Sequence, residues 1–214
     1  RTAERILLRK EYGWSYEYYP NSNRLQFKEK ADGTERVDYE YDPNGNLTIK
    51  VVTKGETVTR WEYTYDLLNQ LEEVRKKGEV VSTYTYDPNG FRVEKVGGEG
   101  KVHYVPLLNG EVGYRKEFSS NVEYSFIYVG GQHFARVDGV IGGKGKKYFY
   151  HNDHLGSALA VTDEQGNKVV ERDFTPFGNR INVDLYDETN RDPAEDDSGF
   201  TGKDWDADIE LYYF

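Results

Sequence analysis

The residues best able to do chemistry fall into a few short stretches. His151-Asn152-Asp153-His154 is the one histidine cluster and could supply metal ligands. In a strand-and-turn context two histidines three apart face different ways, and spacing fixes no third ligand, whereas a zinc site needs at least three. The stretch therefore reads as a hairpin turn whose His and Asp bond backbone and pack against neighbouring strands. Asp204, Asp206, Asp208 and Glu210 alternate, so in a strand their carboxylates share one face, and their start resembles the Asp-x-Asp-x-Asp of a calcium loop. The glycine such a loop needs at its sixth position is replaced by Ile209, and its bidentate glutamate would fall past the chain end. A solvated acidic face is the reading adopted. The glycine-rich run from Gly139 to Lys147 lacks the Gly-Lys-Ser/Thr ending and following helix of a phosphate loop, and reads as a hairpin tip. No Gly-x-Ser-x-Gly elbow frames a serine nucleophile, and spacing nominates no glycosidase pair among 38 acids. These stretches point to no catalytic, cofactor-binding or metal-binding residue, and the chain is expected not to be an enzyme.

Composition narrows the classes further. There is no cysteine, which excludes disulfides, thiolate catalysis and Cys-ligated metal centres. A net charge of −10 argues against a nucleic-acid partner and against an anionic membrane surface. No apolar run is long enough to span a membrane as a helix, and Arg1-Thr2-Ala3-Glu4-Arg5 lacks a signal peptide's apolar core. The chain has no Met, even at position 1, and is expected to be a piece of a longer polypeptide. Hydrophobic content is only 36%, but 15% of residues are aromatic and 19 are tyrosine, which sets the chain apart from disordered sequences. Tyr buries a ring while its hydroxyl stays wet, so a thin sheet can pack on tyrosine.

The elements that must position these residues are repeated hairpins. Tyr39-Glu40-Tyr41-Asp42-Pro43-Asn44-Gly45 recurs as Tyr84-Thr85-Tyr86-Asp87-Pro88-Asn89-Gly90, and more loosely as Tyr63-Thr64-Tyr65-Asp66-Leu67-Leu68-Asn69. Asp accepts from backbone two residues on, Pro presets φ, and Asn-Gly tolerates the left-handed conformation that closes a hairpin. The last aromatic before each turn recurs at 18 to 24 residues, through Tyr18, Tyr41, Tyr65, Tyr86, Tyr104, Tyr128, Tyr150 and Phe174. Asp66 to Lys77 is the best helix candidate, but it follows the hairpin register and reads as strand. The chain is thus all-β, built of consecutive antiparallel hairpins that neighbours extend, with a β-propeller as the alternative. The tyrosines and aliphatics of one strand register would face inward, and Lys, Glu and Asp outward. Asp192 to Gly199 is expected to be the most mobile loop. The tyrosine ladders could stack on sugars or bases, though cross-strand aromatic pairs worth about 0.2–1 kcal/mol each account for them without a ligand.

The Tyr-Asp-Pro-Asn-Gly copies resemble the YD repeats of the Rhs family. Tyr148-Phe149-Tyr150-His151-Asn152-Asp153-His154-Leu155-Gly156-Ser157 is similar to that family's core signature, as are the following Val161 to Asn167 and Phe174-Thr175-Pro176-Phe177-Gly178-Asn179. Phe200-Thr201-Gly202-Lys203 through Phe214 is similar to the next block of the same core. The resemblance implies a long, curved, spiralling sheet of antiparallel β-hairpin repeats, part of an Rhs/YD shell, with regular YD repeats over residues 1–100 and a core region over 101–214, as one continuous sheet rather than two independent domains. It implies a non-enzymatic β-shell segment, secreted or at the bacterial cell surface. Its partners would be the rest of its own polypeptide and an enclosed C-terminal toxin, with edge-to-edge association between copies. In some members the core ends in an aspartyl autoprotease. That motif would lie beyond Phe214, so no protease residue is carried onto this chain and no self-cleavage is expected of it. The alternative function is a cell-surface adhesion or carbohydrate- or protein-binding module, favoured if the tyrosines are exposed and disfavoured if they are buried.

Overall fold

One backbone pattern closes every YD turn. The Asp42 N–H donates to Asn46 O at 2.9 Å, and the Gly45 N–H donates to Asp42 O at 3.1 Å. The Asp42 carboxylate caps both ends, its Oδ1 accepting the N–H of Gly45 and of Asn46 at 2.8 Å each. The same pair of backbone bonds recurs at Asp66, Asp87, Asp153 and Asp163, and at Leu107, where no carboxylate is present. The fourth turn position needs positive φ, and Gly45 (101°), Gly90 (89°) and Gly156 (88°) supply it. Asn69 holds the same place at φ 63°, which is why the looser Asp66-Leu67-Leu68-Asn69 copy still turns. Asp87→Ala removes the Oδ1 that accepts from Asn89 and Phe91. The substitution is expected to cost about 0.5–1.5 kcal/mol by urea midpoint. Asp87→Asn, which keeps an accepting oxygen, should cost less.

The computed structural model describes residues 13–98, 100–139, 144–175, 178, 180–185 and 199–213, with backbone alone at 182, 183 and 185. Pro176, Phe177 and the acidic loop before Gly199 lie outside the described residues. The first strands are β1 (Trp14–Tyr18), β2 (Leu25–Lys30), β3 (Glu35–Tyr41), β4 (Leu47–Lys54), β5 (Thr57–Tyr65), β6 (Leu71–Lys76) and β7 (Glu79–Tyr86). They are followed by β8 (Arg92–Gly97), β9 (Gly100–Pro106), β10 (Val112–Glu117), β11 (Val122–Val129) and β12 (Gln132–Asp138). Next come β13 (Lys146–Asn152), β14 (Ala158–Asp163), β15 (Lys168–Phe174) and β16 (Arg180–Leu185). These sixteen strands form one antiparallel sheet whose order is the sequence order. The hairpin-repeat architecture expected from the turns is the one present. The propeller alternative fails on this order, because blades are separate four-stranded sheets. Asp66 to Lys77 is turn and strand, as read. A second sheet pairs β17 (Trp205–Asp206) with β18 (Leu211–Tyr212).

The chain divides into two compact units, Arg1–Tyr84 and Thr85–Phe214. In the first, a register shift at the second tyrosine of each pair, between Glu40 and Tyr41 and between Thr64 and Tyr65, marks a bulge just before the turn. Val37, Trp61, Tyr63, Val74 and Tyr84 are buried. Trp61 pairs across strands with Lys50 on one side and Lys76 on the other, their ammonium groups 5.0 and 4.3 Å from the ring centroid. In the second unit, Tyr148, Tyr150, Ala158, Val161, Val169 and Val170 form an apolar cluster.

The expected split of apolar inward and charged outward needs correction. Lys50, Arg92, Lys95, Arg115, Arg136 and Arg172 are all buried, on the strand registers of the aromatic residues. Arg115 lies 4.3 Å from the Tyr124 ring, and Arg136 lies 4.6 Å from Tyr124 and 5.6 Å from Tyr148. A guanidinium lies flat on a ring and covers apolar surface with its stem, so cations enter this face as packing material. Glu117 and Asp138, each two residues further along the same strand, neutralise Arg115 at 3.3 Å and Arg136.

Burial also moves the tyrosine hydroxyls. It pushes Tyr65 up to about 12, Tyr39 further still, and raises Tyr16, Tyr41 and Tyr104. The folded chain therefore keeps phenol protons that the unfolded chain releases near pH 10. This stabilisation is complete below about pH 10 and lost as pH rises through the folded values. Chemical denaturation is expected to show a flat midpoint up to about pH 10 and a steep fall above it, with tyrosinate absorbance rising together with unfolding.

Candidate functional site

The acidic alternation near the C-terminus builds a hairpin. Asp206 accepts the Ile209 N–H at its carbonyl (3.3 Å) and the Asp208 N–H at Oδ1 (3.2 Å), and Glu210 takes φ 56° to bring the chain back into β18. The Tyr213 N–H then donates to Asp204 O at 2.9 Å. The carboxylates are not a solvated face, as the alternation implied. Asp206 is 4% exposed, 2.6 Å from Lys95 Nζ and 3.8 Å from Arg92. Asp208 reaches Lys95 at 2.8 Å, and Asp204 reaches Arg92 at 3.4 Å. A turn within the run points three carboxylates at two cations, where a straight strand would have exposed them.

The cations project from β8 on the face that carries Tyr104. The Arg92 guanidinium is held between the rings of Tyr104 (4.6 Å) and Tyr213 (4.2 Å). Burial alone would lower the Lys95 ammonium, but Asp206 and Asp208 more than reverse this and raise it. The Lys95 ammonium therefore keeps its charge up to about pH 10.5, and the stability that goes with its raised value is lost only as pH climbs through that value. Glu94, the acid between these cations in sequence, bonds Lys101 at 2.6 Å and His103 at 2.7 Å instead. Arg92 and Lys95 thus take their acids from more than a hundred residues away, unlike Arg115 and Arg136.

The signature segments expected from the resemblance form the second half of the same seat. Asp153 is a YD-type turn residue, its Oδ1 accepting the N–H of Leu155 and of Ser157 at 2.8 Å. His151 is exposed and meets Thr162 Oγ1 at 3.1 Å, and His154 and Leu155 are exposed at the turn tip. Tyr150 is buried and stacks on His133, with ring centroids 4.0 Å apart. Among the described residues no three His, Cys, Asp or Glu side chains are grouped to hold a metal ion. Ser157, fully buried, accepts the Thr201 N–H on its Oγ at 3.0 Å. A short 3-10 turn over Phe200–Gly202 lies so close that a Cβ on Gly202 would stand 3.4 Å from Gly156 O. Tyr212 donates its hydroxyl to Gly178 O at 2.8 Å, and a Cβ on Gly178 would stand 2.9 Å from the Tyr212 ring. Phe200 packs between Phe174 and Tyr212, with centroids 5.9 and 6.3 Å away. The signature's conformational demands at Gly156 and Gly178 are thus those of a receptor for residues 200–212.

The sequence marked Asp153, Gly156 and Gly178 as signature residues, and Ser157, Thr201 and Tyr212 as members of the signature blocks, without bringing the two blocks together, and it nominated neither Arg92 nor Lys95. No local signal marked the two cations: Arg92-x-Glu94 repeats the spacing of Arg115-x-Glu117 and Arg136-x-Asp138, and only the structure shows Glu94 bonding Lys101 and His103 instead.

No family model matches the chain. Over 177 residues it is 30% identical to tRNA nuclease WapA of Bacillus subtilis (strain 168) and 29% identical to tRNA3(Ser)-specific nuclease WapA of Bacillus spizizenii. Each match covers 81% of this chain and 7% of the nuclease, so the chain spans a small fraction of these relatives' length. Among solved structures, a chain of the TcdB2-TccC3 crystal structure aligns with a TM-score of 0.53 and 15% identity, covering 94% of this chain and 14% of the other. These relatives are Rhs-type proteins. The hairpin-repeat sheet is therefore shared in fold with TcdB2-TccC3 and in sequence with the WapA nucleases. Among the described residues no helix is long and apolar enough to cross a membrane.

Proposed function

We propose that this chain is a non-enzymatic wall segment of an exported bacterial Rhs/YD-repeat protein, and that the wall encloses a C-terminal domain of the same polypeptide. The observation that carries this reading is the seat. The acidic hairpin at 204–213 is clamped on the buried cations of β8 by Lys95–Asp206 at 2.6 Å, and by Ser157 to Thr201 at 3.0 Å. A seat of this kind holds the outgoing chain against the sheet face that carries the buried tyrosines, where a following domain would be kept inside. Burial of Tyr63, Tyr84, Tyr104, Tyr124, Tyr148 and Tyr150 supports a wall over an adhesion module, which would display its aromatics. In this reading the enzymatic activity named for the WapA relatives lies in parts of those proteins that this chain does not span. The test is to express the chain extended to its natural C-terminus, treat it with protease, and identify protected fragments by mass spectrometry. Protection of the downstream domain by the folded wall is expected. Digestion of that domain at the rate seen for the isolated domain would overturn the proposal.

A further inference from the structure

Asn-Gly occurs at Asn44-Gly45, Asn89-Gly90 and Asn109-Gly110, each time as the third and fourth residues of a hairpin turn. Glycine has no Cβ, so its backbone nitrogen is an unhindered nucleophile for the carboxamide carbon of the residue before it. In the first two turns the carboxamide is drawn away from that nitrogen. Asn44 donates its Nδ2 to Asn69 Oδ1 at 2.8 Å, across to the next repeat, and Asn89 directs its Nδ2 back to Asp87 Oδ2 at 3.4 Å. In the third turn the carboxamide is drawn forward. Asn109 Oδ1 accepts the Glu111 N–H at 3.3 Å, which folds the side chain across the intervening Gly110 amide. We propose that Asn109 is a self-modification site, which closes to a succinimide with Gly110 and reopens as an aspartyl or isoaspartyl link.

The Gly110 N–H gives its proton to hydroxide, and the nitrogen lone pair forms a bond to Asn109 Cγ. The Cγ–Nδ2 bond then breaks, and the leaving nitrogen takes a proton from water to depart as ammonia. Water adds to either ring carbonyl, leaving a carboxylate at position 109 on the side chain or on the main chain. During attack negative charge develops on Asn109 Oδ1, where the Glu111 N–H already points, so a fixed donor stabilises the tetrahedral species. The first residue of the turn acts in the same direction. Asp42 Oδ1 accepts the Gly45 N–H at 2.8 Å, and Asp87 Oδ1 accepts the N–H groups on either side of Gly90, from Asn89 and Phe91, at 2.9 Å. A carboxylate beside an N–H opposes loss of its proton. Leu107 holds that place in the third turn, where the Gly110 N–H donates to Leu107 O at 2.9 Å. Asn109 is exposed, so hydroxide and water reach it. Closure removes the Gly110 N–H and its turn bond, and an isoaspartyl link lengthens the chain between β9 and β10, the strands that carry Tyr104 and Arg115. The reaction is independent of what the wall encloses.

The test holds the folded chain at mildly alkaline pH and follows each Asn-Gly over time by peptide mapping, mass spectrometry and an isoaspartate assay. Asn109 is expected to convert about tenfold faster than Asn44 and Asn89, the rate equivalent of one hydrogen bond gained in the transition state. In urea, where the turns are lost, the three rates should converge. Leu107→Asp rebuilds the capped turn of Asp42, Asp66, Asp87, Asp153 and Asp163, and is expected to slow Asn109 to the pace of Asn44 and Asn89 while the sheet stays folded. Glu111→Gln keeps the backbone donor and should leave the rate as it is. A slower rate there would assign the effect to the Glu111 carboxylate and overturn the part given to its N–H. Conversion of Asn44 or Asn89 as fast as Asn109 in the folded chain would overturn the site. So would a lead for Asn109 that persists unchanged in urea, because local sequence rather than the turn would then set the rate.

Discussion

Asp206→Ala is expected to free the C-terminal hairpin and to cost about 3 kcal/mol, the lower end of the range for breaking a buried ion pair. The loss is large because Lys95 and Arg92 stay buried while the carboxylate 2.6 Å from Lys95 and 3.8 Å from Arg92 is gone. It stays at the lower end because Asp208 still reaches Lys95 at 2.8 Å and Asp204 still reaches Arg92 at 3.4 Å. The Asp208 N–H and Ile209 N–H, which organise the turn around Asp206, separate two effects. Asp206→Asn keeps the turn's oxygen acceptors and removes only the charge, so it isolates the electrostatic part. The paired change Lys95→Met with Asp206→Leu should cost far less than Asp206→Ala, since no uncompensated charge is left behind. Hydrogen exchange at residues 200–213 is the measurement, because it separates local release from global unfolding. If exchange there is unchanged in Asp206→Ala, the ion pairs do not hold the hairpin.

Trp61→Ala is expected to be the most damaging single change in the first unit, at about 3–5 kcal/mol. Trp61 is 1% exposed, lies between two cross-strand lysines, and is the largest fully buried side chain among the described residues of that unit. Its removal leaves a cavity and takes away the ring that Lys50 and Lys76 lie over, so two partly desolvated ammonium groups lose their cation–π contact. Trp61→Phe keeps a smaller ring and should recover a substantial part of the loss. Trp61→Leu fills volume without the quadrupole, so the difference between Phe and Leu reports the cation–π share. Urea midpoints together with hydrogen exchange over residues 13–84 are the readout. A loss below about 1 kcal/mol for Trp61→Ala would mean that the lysines, not the indole, organise this face.

The amino-acid sequence by itself determined the repeat. Asp42, Asp66, Asp87 and Asp153 each bond the backbone of the next few residues, and Gly45, Asn69, Gly90 and Gly156 each hold the one conformation that closes the turn. These are local bonds between residues at most four apart, so the sequence contains both partners side by side, and strand order follows from short turns. The alternation of aromatic residues likewise fixed which side chains share a face. What only the tertiary structure decided is where the charges go. Arg92 and Lys95 meet Asp204, Asp206 and Asp208 across more than a hundred residues, and Ser157 meets Thr201 across 44. Nothing local distinguishes an acidic alternation that faces water from one that folds into a hairpin against buried cations. The choice depends on the desolvation cost of Arg92 and Lys95, which exists only once β8, β9 and β10 have covered them. The same reason explains the misread face. Lysine and arginine are exposed residues by composition, and Lys50, Arg92 and Arg115 are buried here because neighbouring strands bring Trp61, Tyr104 and Tyr124 close enough for their rings to receive them.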